Sequence, residues 1–193
     1  MRGGLKFGQA GVRAIPLPIV AMNQPMRLTS MKPHNARSEP DPRPGWMRDL
    51  GLRWEWAWLA DSRFGLALLA GVVFWLALAW LGEPGPLHGQ AALFSLVLLQ
   101  PLVEELLFRG LLQGRLVARP WGRHSVLGLS RANWTVALLF TALHFIGHPP
   151  LWAAGVLLPA LLYGYFRDRH DSVLPASALH VCYNAGYFLL PLI

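Results

Sequence analysis

"PLVEELLFRG", Pro101 to Gly110, places two glutamates and an arginine inside an apolar segment that runs from about Gly89 to Arg115. Charged side chains are costly in hydrocarbon, so those found there point to function. On a helix, Glu105 and Arg109 are four residues apart and stack on one face, with the acid nearer the amino end, the favourable order for an ion pair. Glu104 points about 100° away and has no basic residue three or four positions from it. Glu105 and Arg109 therefore read as a structural pair, and Glu104 as the carboxylate left for chemistry. Taken alone, the stretch supports equally well a reading in which both acids merely satisfy Arg109.

The surrounding composition says what kind of helix this is. Of 193 residues, 54% are hydrophobic and only 14% charged, and the mean hydropathy is +0.36, too apolar for an ordinary soluble domain. Nine Trp and nine Phe suit packed interiors and ring-lined membrane boundaries. The net charge of +7 does not read as a nucleic-acid surface, because the basic residues sit in segments flanking apolar runs, a pattern of membrane topology. Cys182 is the single cysteine, so no internal disulfide forms, and it reads as a small packing residue.

Residues 1–50 are rich in Pro, Arg, Asn, Ser and Gly and read as a disordered basic cytosolic tail. Pro16 and Pro18 break its one apolar patch, which makes a poor signal peptide. Met22, Met26, Met31 and Met47 leave the translation start open. "LRWEWAWLA", Leu52 to Ala60, interleaves Trp with charge, and residues 51–63 are expected to lie along the inner membrane surface. Phe64 to Gly82 carries no charge and at about 1.5 Å per residue crosses a bilayer core of about 30 Å. Further spans are expected over Gly89 to Arg115, Asn133 to Ile146 with extension toward Arg131, Leu151 to Phe166, and Val173 to Ile193. The fold class is all-α: a polytopic transmembrane bundle of about five helices, with residues 64–193 as the membrane-embedded domain.

The connections orient it. The amino-terminal tail is basic, the second inner connection carries Arg115, Arg119, Arg123 and Arg131, and "RDRHD" adds Arg167 and Arg169, whereas "EPGPLH" and "GHPP" have neither Lys nor Arg. The positive-inside rule then puts the amino terminus in the cytosol and the carboxyl terminus outside.

Other spans carry polar groups at matching depth. "FTALH" sets Phe140 and His144 on one helical face, and "HVCYN" does the same for His180 and Asn184. Glu104 lies eleven residues from Arg115, His144 thirteen from Arg131, and His180 nine from Asp171, roughly 16, 20 and 14 Å along their helices. A lone histidine on an apolar helix is more often a packing residue, but two of them with a glutamate and an asparagine on separate spans are not accounted for by packing. Pro101 removes an amide from the helix before Glu104, and Gly110 with Gly114 allows close helix contact. His88, His124, His148 and His170 fall in connections and are left outside the site.

In this order, "EELLFR", "FTALH" and "HVCYN" resemble the signature of the CPBP family of intramembrane proteases, also called Abi, which includes the CAAX prenyl endopeptidases and proteins linked to bacteriocin processing and self-immunity. The resemblance covers about Gln90 to Leu190. It implies peptide-bond hydrolysis, with Glu104 activating water assisted by His144 and His180, Asn184 helping to hold the oxyanion, Glu105 and Arg109 in support, and Phe140 packing. Many relatives have more than five spans, which points to self-association as a homo-oligomer. The substrate class implied is a membrane protein or a lipidated, membrane-anchored peptide, and the setting a multi-pass protein of the bacterial inner (cytoplasmic) membrane.

Two rival readings accompany this one. Glu104, His144 and His180 form a ligand set known for catalytic zinc, although HExxH is absent; the preferred reading has no cofactor. A non-enzymatic immunity or transport protein would also keep intramembrane polar groups, for proton or ion passage.

Overall fold

A computed structural model describes residues 45–81 and 89–189 of the chain. Most of the tail, residues 82–88 and the last four residues lie outside the described residues, and with them the expectations made there. The end of the tail is helical, α1, Gly45–Asp49. A 3-10 turn, Ala57–Ala60, precedes α2, Ser62–Trp80. The long helix α3 spans Gln90–Val117. A short helix α4, Pro120–Arg123, and a hairpin of two-residue strands, β1 Ser125–Val126 and β2 Leu129–Ser130, follow it. α5 is Arg131–His144, α6 Pro150–Gly155, α7 Leu157–His170 and α8 Leu174–Leu189. Apart from that hairpin the described fold is all-α.

α2 starts where Asp61 caps it, its carboxylate accepting from the Arg63 amide at 3.0 Å. It is apolar all round, yet only Phe64, Ala67 and Gly71 are buried; Leu66, Leu69, Val73, Leu76 and Trp80 face outward, the surface a lipid-facing helix presents. α2 and α3 are long and apolar enough to cross a membrane; α5, α7 and α8 are shorter, at 14, 14 and 16 residues. The span expected over Leu151 to Phe166 is two helices instead. Pro159 lacks the amide that would bond the Gly155 carbonyl, and the chain breaks at Val156 between α6 and α7. α7 then continues to His170, so most of "RDRHD" is helical and ends at Asp171 in the left-handed region, φ 47°.

α7 packs against both α5 and α8, and α8 also against α2 and α3. One apolar core joins Trp58 and Phe64 to Tyr163, Phe166 and Leu179, so Trp58 of the expected interfacial segment is interior while Trp54 and Trp56 are exposed. A second core sets Phe108 against Val136, Phe140 and Ala160. The chain before α2 is tied beneath α3: a Cβ at Gly110 would stand 2.9 Å from the Leu50 carbonyl. Gly51, at φ 64°, leaves room for the Arg167 guanidinium.

α3 is not uniform. Ser95–Leu99 and Leu106–Gln113 wind as π-helix, separated by an α-helical stretch Gln100–Glu105. In the first, the Gln100 amide bonds back five residues to the Ser95 carbonyl. In that register the next amide would serve Leu96, but residue 101 is proline and has none. Proline in this frame thus orphans Leu96 rather than Val97, the acceptor an unbroken α-helix would lose. π turns are rare and collect at functional sites; this one leads directly into the two glutamates.

Candidate active site

Glu105, Arg109 and Gln113 follow one another at four-residue steps down α3, each with 0% exposure. The expected ion pair forms: Arg109 Nη1 donates to Glu105 Oε1 at 3.1 Å. Arg109 is further held by the Ala160 carbonyl, to which Nη2 donates at 3.0 Å, and by two rings, its guanidinium carbon lying 4.5 Å from the centre of Phe140 and 5.4 Å from that of Tyr163. Phe140 thus packs against the cation as well as against Phe108, ring centres 5.0 Å apart and edge to face.

Sequence reasoning missed the second partner of Glu105. His180 Nδ1 stands 2.9 Å from the same Oε1. A carboxylate only accepts, so Nδ1 is the donor of this bond and Nε2 is left for another partner. The imidazole is buried, stacks on Tyr163 at 4.8 Å and 19°, and meets Phe140 edge to face. Nε2 lies 3.8 Å from Glu104 Oε2. His180 is thereby fixed between the two glutamates. No spacing rule within one helix could have announced a bond across 75 residues.

Glu104 differs from its neighbour in the way its position on the helix predicts. Its side chain is 22% exposed, and it accepts a hydrogen bond from Gln100 Nε2, one turn earlier, at 2.9 Å. It lines a cavity of about 340 Å³ together with Phe108, Phe140, Leu143, His144, Ile146, Gly147 and His148. His144, the last residue of α5, donates from Nδ1 to the Phe140 carbonyl at 2.8 Å, which leaves Nε2 as its free ring atom. The structure therefore brings Glu104 and His144 to one cavity and His180 to the other side of Glu104. His148, left out on sequence grounds, also belongs to the cavity.

Asn184 is placed elsewhere. Its Nδ2 donates to the Leu96 carbonyl at 2.9 Å, the acceptor that Pro101 leaves without a backbone donor. It ties α8 to the π turn of α3 one helical turn beyond His180, and it does not line the cavity. Among the described residues no three of His, Cys, Asp and Glu are gathered closely enough to hold a metal ion. His180 is held through Nδ1 by Glu105 and keeps Nε2 directed at Glu104, 3.8 Å away, an orientation that a carboxylate-held metal ligand also takes.

The family model described as type II CAAX prenyl endopeptidase Rce1-like matches residues 86–186, just over half of the chain. No curated protein and no solved structure matches it. The matched span contains all three motifs and every side chain described above as meeting at Glu104. The chain belongs to the Rce1-like type II CAAX prenyl endopeptidase family, within the CPBP proteases.

Proposed function

We propose that the protein is an intramembrane endopeptidase in which the Glu104 carboxylate activates the attacking water without a metal. The observation that carries this is the division between adjacent glutamates: Glu105 is buried on Arg109 and His180, while Glu104 opens on the cavity with no Lys or Arg among the described residues that line it. Glu104 takes a proton from water as its oxygen bonds the scissile carbonyl carbon. His144, facing the same cavity, orients that water. The C–N bond then breaks as the proton passes from Glu104 to the leaving nitrogen. His180, held by Glu105 much as a carboxylate holds the histidine of a hydrolytic triad, accepts at Nε2 the proton that Glu104 has taken from water and returns it through Glu104 for the leaving nitrogen, and while charged it stabilises the negative oxygen. Asn184 positions His180 by fastening α8, a role its contact with Leu96 supports over donation to the oxyanion.

The substrate class is a lipid-anchored or prenylated peptide tail, or a membrane protein segment, entering from the bilayer. The chain crosses that bilayer five times, amino terminus in the cytosol; α5, α7 and α8 extend only about 21 to 24 Å at 1.5 Å per residue and cross where the bundle thins the bilayer around it. A bacterial inner membrane and a homo-oligomer that completes the walls of the bundle fit this reading.

The test is Glu104→Gln in proteoliposomes with a quenched fluorescent prenylated CAAX peptide. Cleavage should fall by about 10² to 10⁴-fold with the helical fold retained; cleavage at the original rate would remove Glu104 from the chemistry. Chelation should leave the wild-type rate unchanged, and stoichiometric zinc with activity lost on chelation would overturn the metal-free route.

A further inference from the structure

The turn that closes α5 carries a ring the mechanism above does not use. His148 donates its backbone N–H to the His144 carbonyl at 3.1 Å, which sets it one turn past the end of the helix. Its imidazole stacks on that of His144, ring centres 5.6 Å apart and planes 19° from parallel, and both line the cavity with Glu104. Phe140, one turn earlier, gives His144 a second ring contact, at 4.5 Å, and accepts a hydrogen bond from its Nδ1. His144 is the last residue of α5 and only partly buried. A ring at a helix end, held by one bond to its own helix, keeps rotamer freedom that a neighbour must remove.

The geometry points to His148 as the positioning residue for His144: its face fixes the plane of the His144 ring and so the direction of the free Nε2. This rests on the reading of His144 as a residue that orients water. It needs the flat ring of His148 rather than its proton, since stacking is a property of the π face. His148 is exposed, so replacing it removes the contact without opening a hole in the core.

The experiment compares His148→Ala and His148→Phe in proteoliposomes with the same prenylated CAAX peptide, and reads the His144 ring by nitrogen NMR of protein labelled on histidine. His148→Ala should lower kcat about tenfold with little change in KM, the effect of a misdirected catalytic group, and its His144 shifts should move from a single tautomer toward an average of two. His148→Phe should recover most of the rate and the single tautomer. The proposal is overturned if the alanine variant cleaves normally with unchanged His144 shifts, or if the phenylalanine variant is as slow as alanine, which would assign the role to the imidazole proton. If wild-type protein does not cleave this peptide while the His144 shifts still respond to His148, cleavage of prenylated CAAX tails is refuted and the stacking stands.

Discussion

Asn184 stands in for a backbone amide. Its side chain reaches the Leu96 carbonyl at 2.9 Å, the acceptor left open because Pro101 has no N–H. A lost donor to a sequestered carbonyl costs about 1–3 kcal/mol, and here it would also free α8 from α3 one turn from His180. Asn184→Ala should therefore lose both stability and cleavage. Adding Pro101→Ala restores an amide to α3, so the double variant should be less impaired than Asn184→Ala alone. Unfolding and rate measurements on this cycle give the coupling; no relief in the double variant would separate Asn184 from Pro101.

Glu105 and Glu104 should fail differently. Glu105 is wholly buried on Arg109 and His180, and removing one member of a buried pair typically costs about 3–5 kcal/mol because a charge is left behind. Glu105→Ala should yield little folded protein, whereas Glu104→Gln should purify normally and be inactive. Thermal unfolding in detergent distinguishes them.

Gly164 is a packing requirement. A Cβ there would fall 2.0 Å from Asn133 Oδ1 and 2.9 Å from Gln113 Oε1, inside a network in which Gln113 donates to Asp168 at 2.7 Å and to the Gly164 carbonyl at 2.9 Å. Gly164→Ala should destabilise by about 1–3 kcal/mol, as overpacking does. Gly155→Ala, where nothing stands within 4 Å, is the control and should be neutral or slightly stabilising.

Acidification should loosen the junction of α2 with α7. At His170, burial outweighs the Asp61 carboxylate 3.0 Å away and lowers the imidazole below 6.5. At Asp61, burial is outweighed by hydrogen bonds from Arg169 and the Arg63 amide, which leave the carboxyl below 3.8. A histidine lowered on folding binds its proton more readily in the unfolded chain, so its contribution is lost as pH falls below 6.5. The Asp61 contribution is lost further down, below 3.8, with the same sign. The melting midpoint should drop between about pH 7.5 and 5.5, and His170→Gln should flatten that slope.

Periodicity revealed much of this, because short-range geometry is local. The Glu105 to Arg109 pair and the separate aspect of Glu104 both follow from helical angles, and helix positions followed from apolar runs. What escaped was long-range or register-dependent. The His180 to Glu105 bond joins residues 75 apart in sequence. Pro159 was in plain view, yet a hydropathy reading of Leu151 to Phe166 passes over it. His148 was set aside for lying beyond a span, when the helix ends at His144 and the turn folds the later ring back onto it. The bond from Asn184 to the Leu96 carbonyl was not legible either, because the π register that leaves Leu96 open leaves no mark in composition.

That wider winding also sets how α3 tolerates change. In an α-helix every fourth residue drifts about 40° around the axis, so a column of Glu105, Arg109 and Gln113 would spiral off its partner. Closing the turn on the fifth residue over Leu106–Gln113 straightens the column, and Arg109 and Gln113 both reach α7, where Arg109 meets Ala160 and Gln113 meets Gly164. Shortening this segment by one residue would return it to ordinary pitch and swing Gln113 toward lipid, so this part of the gene should accept substitutions far more readily than deletions.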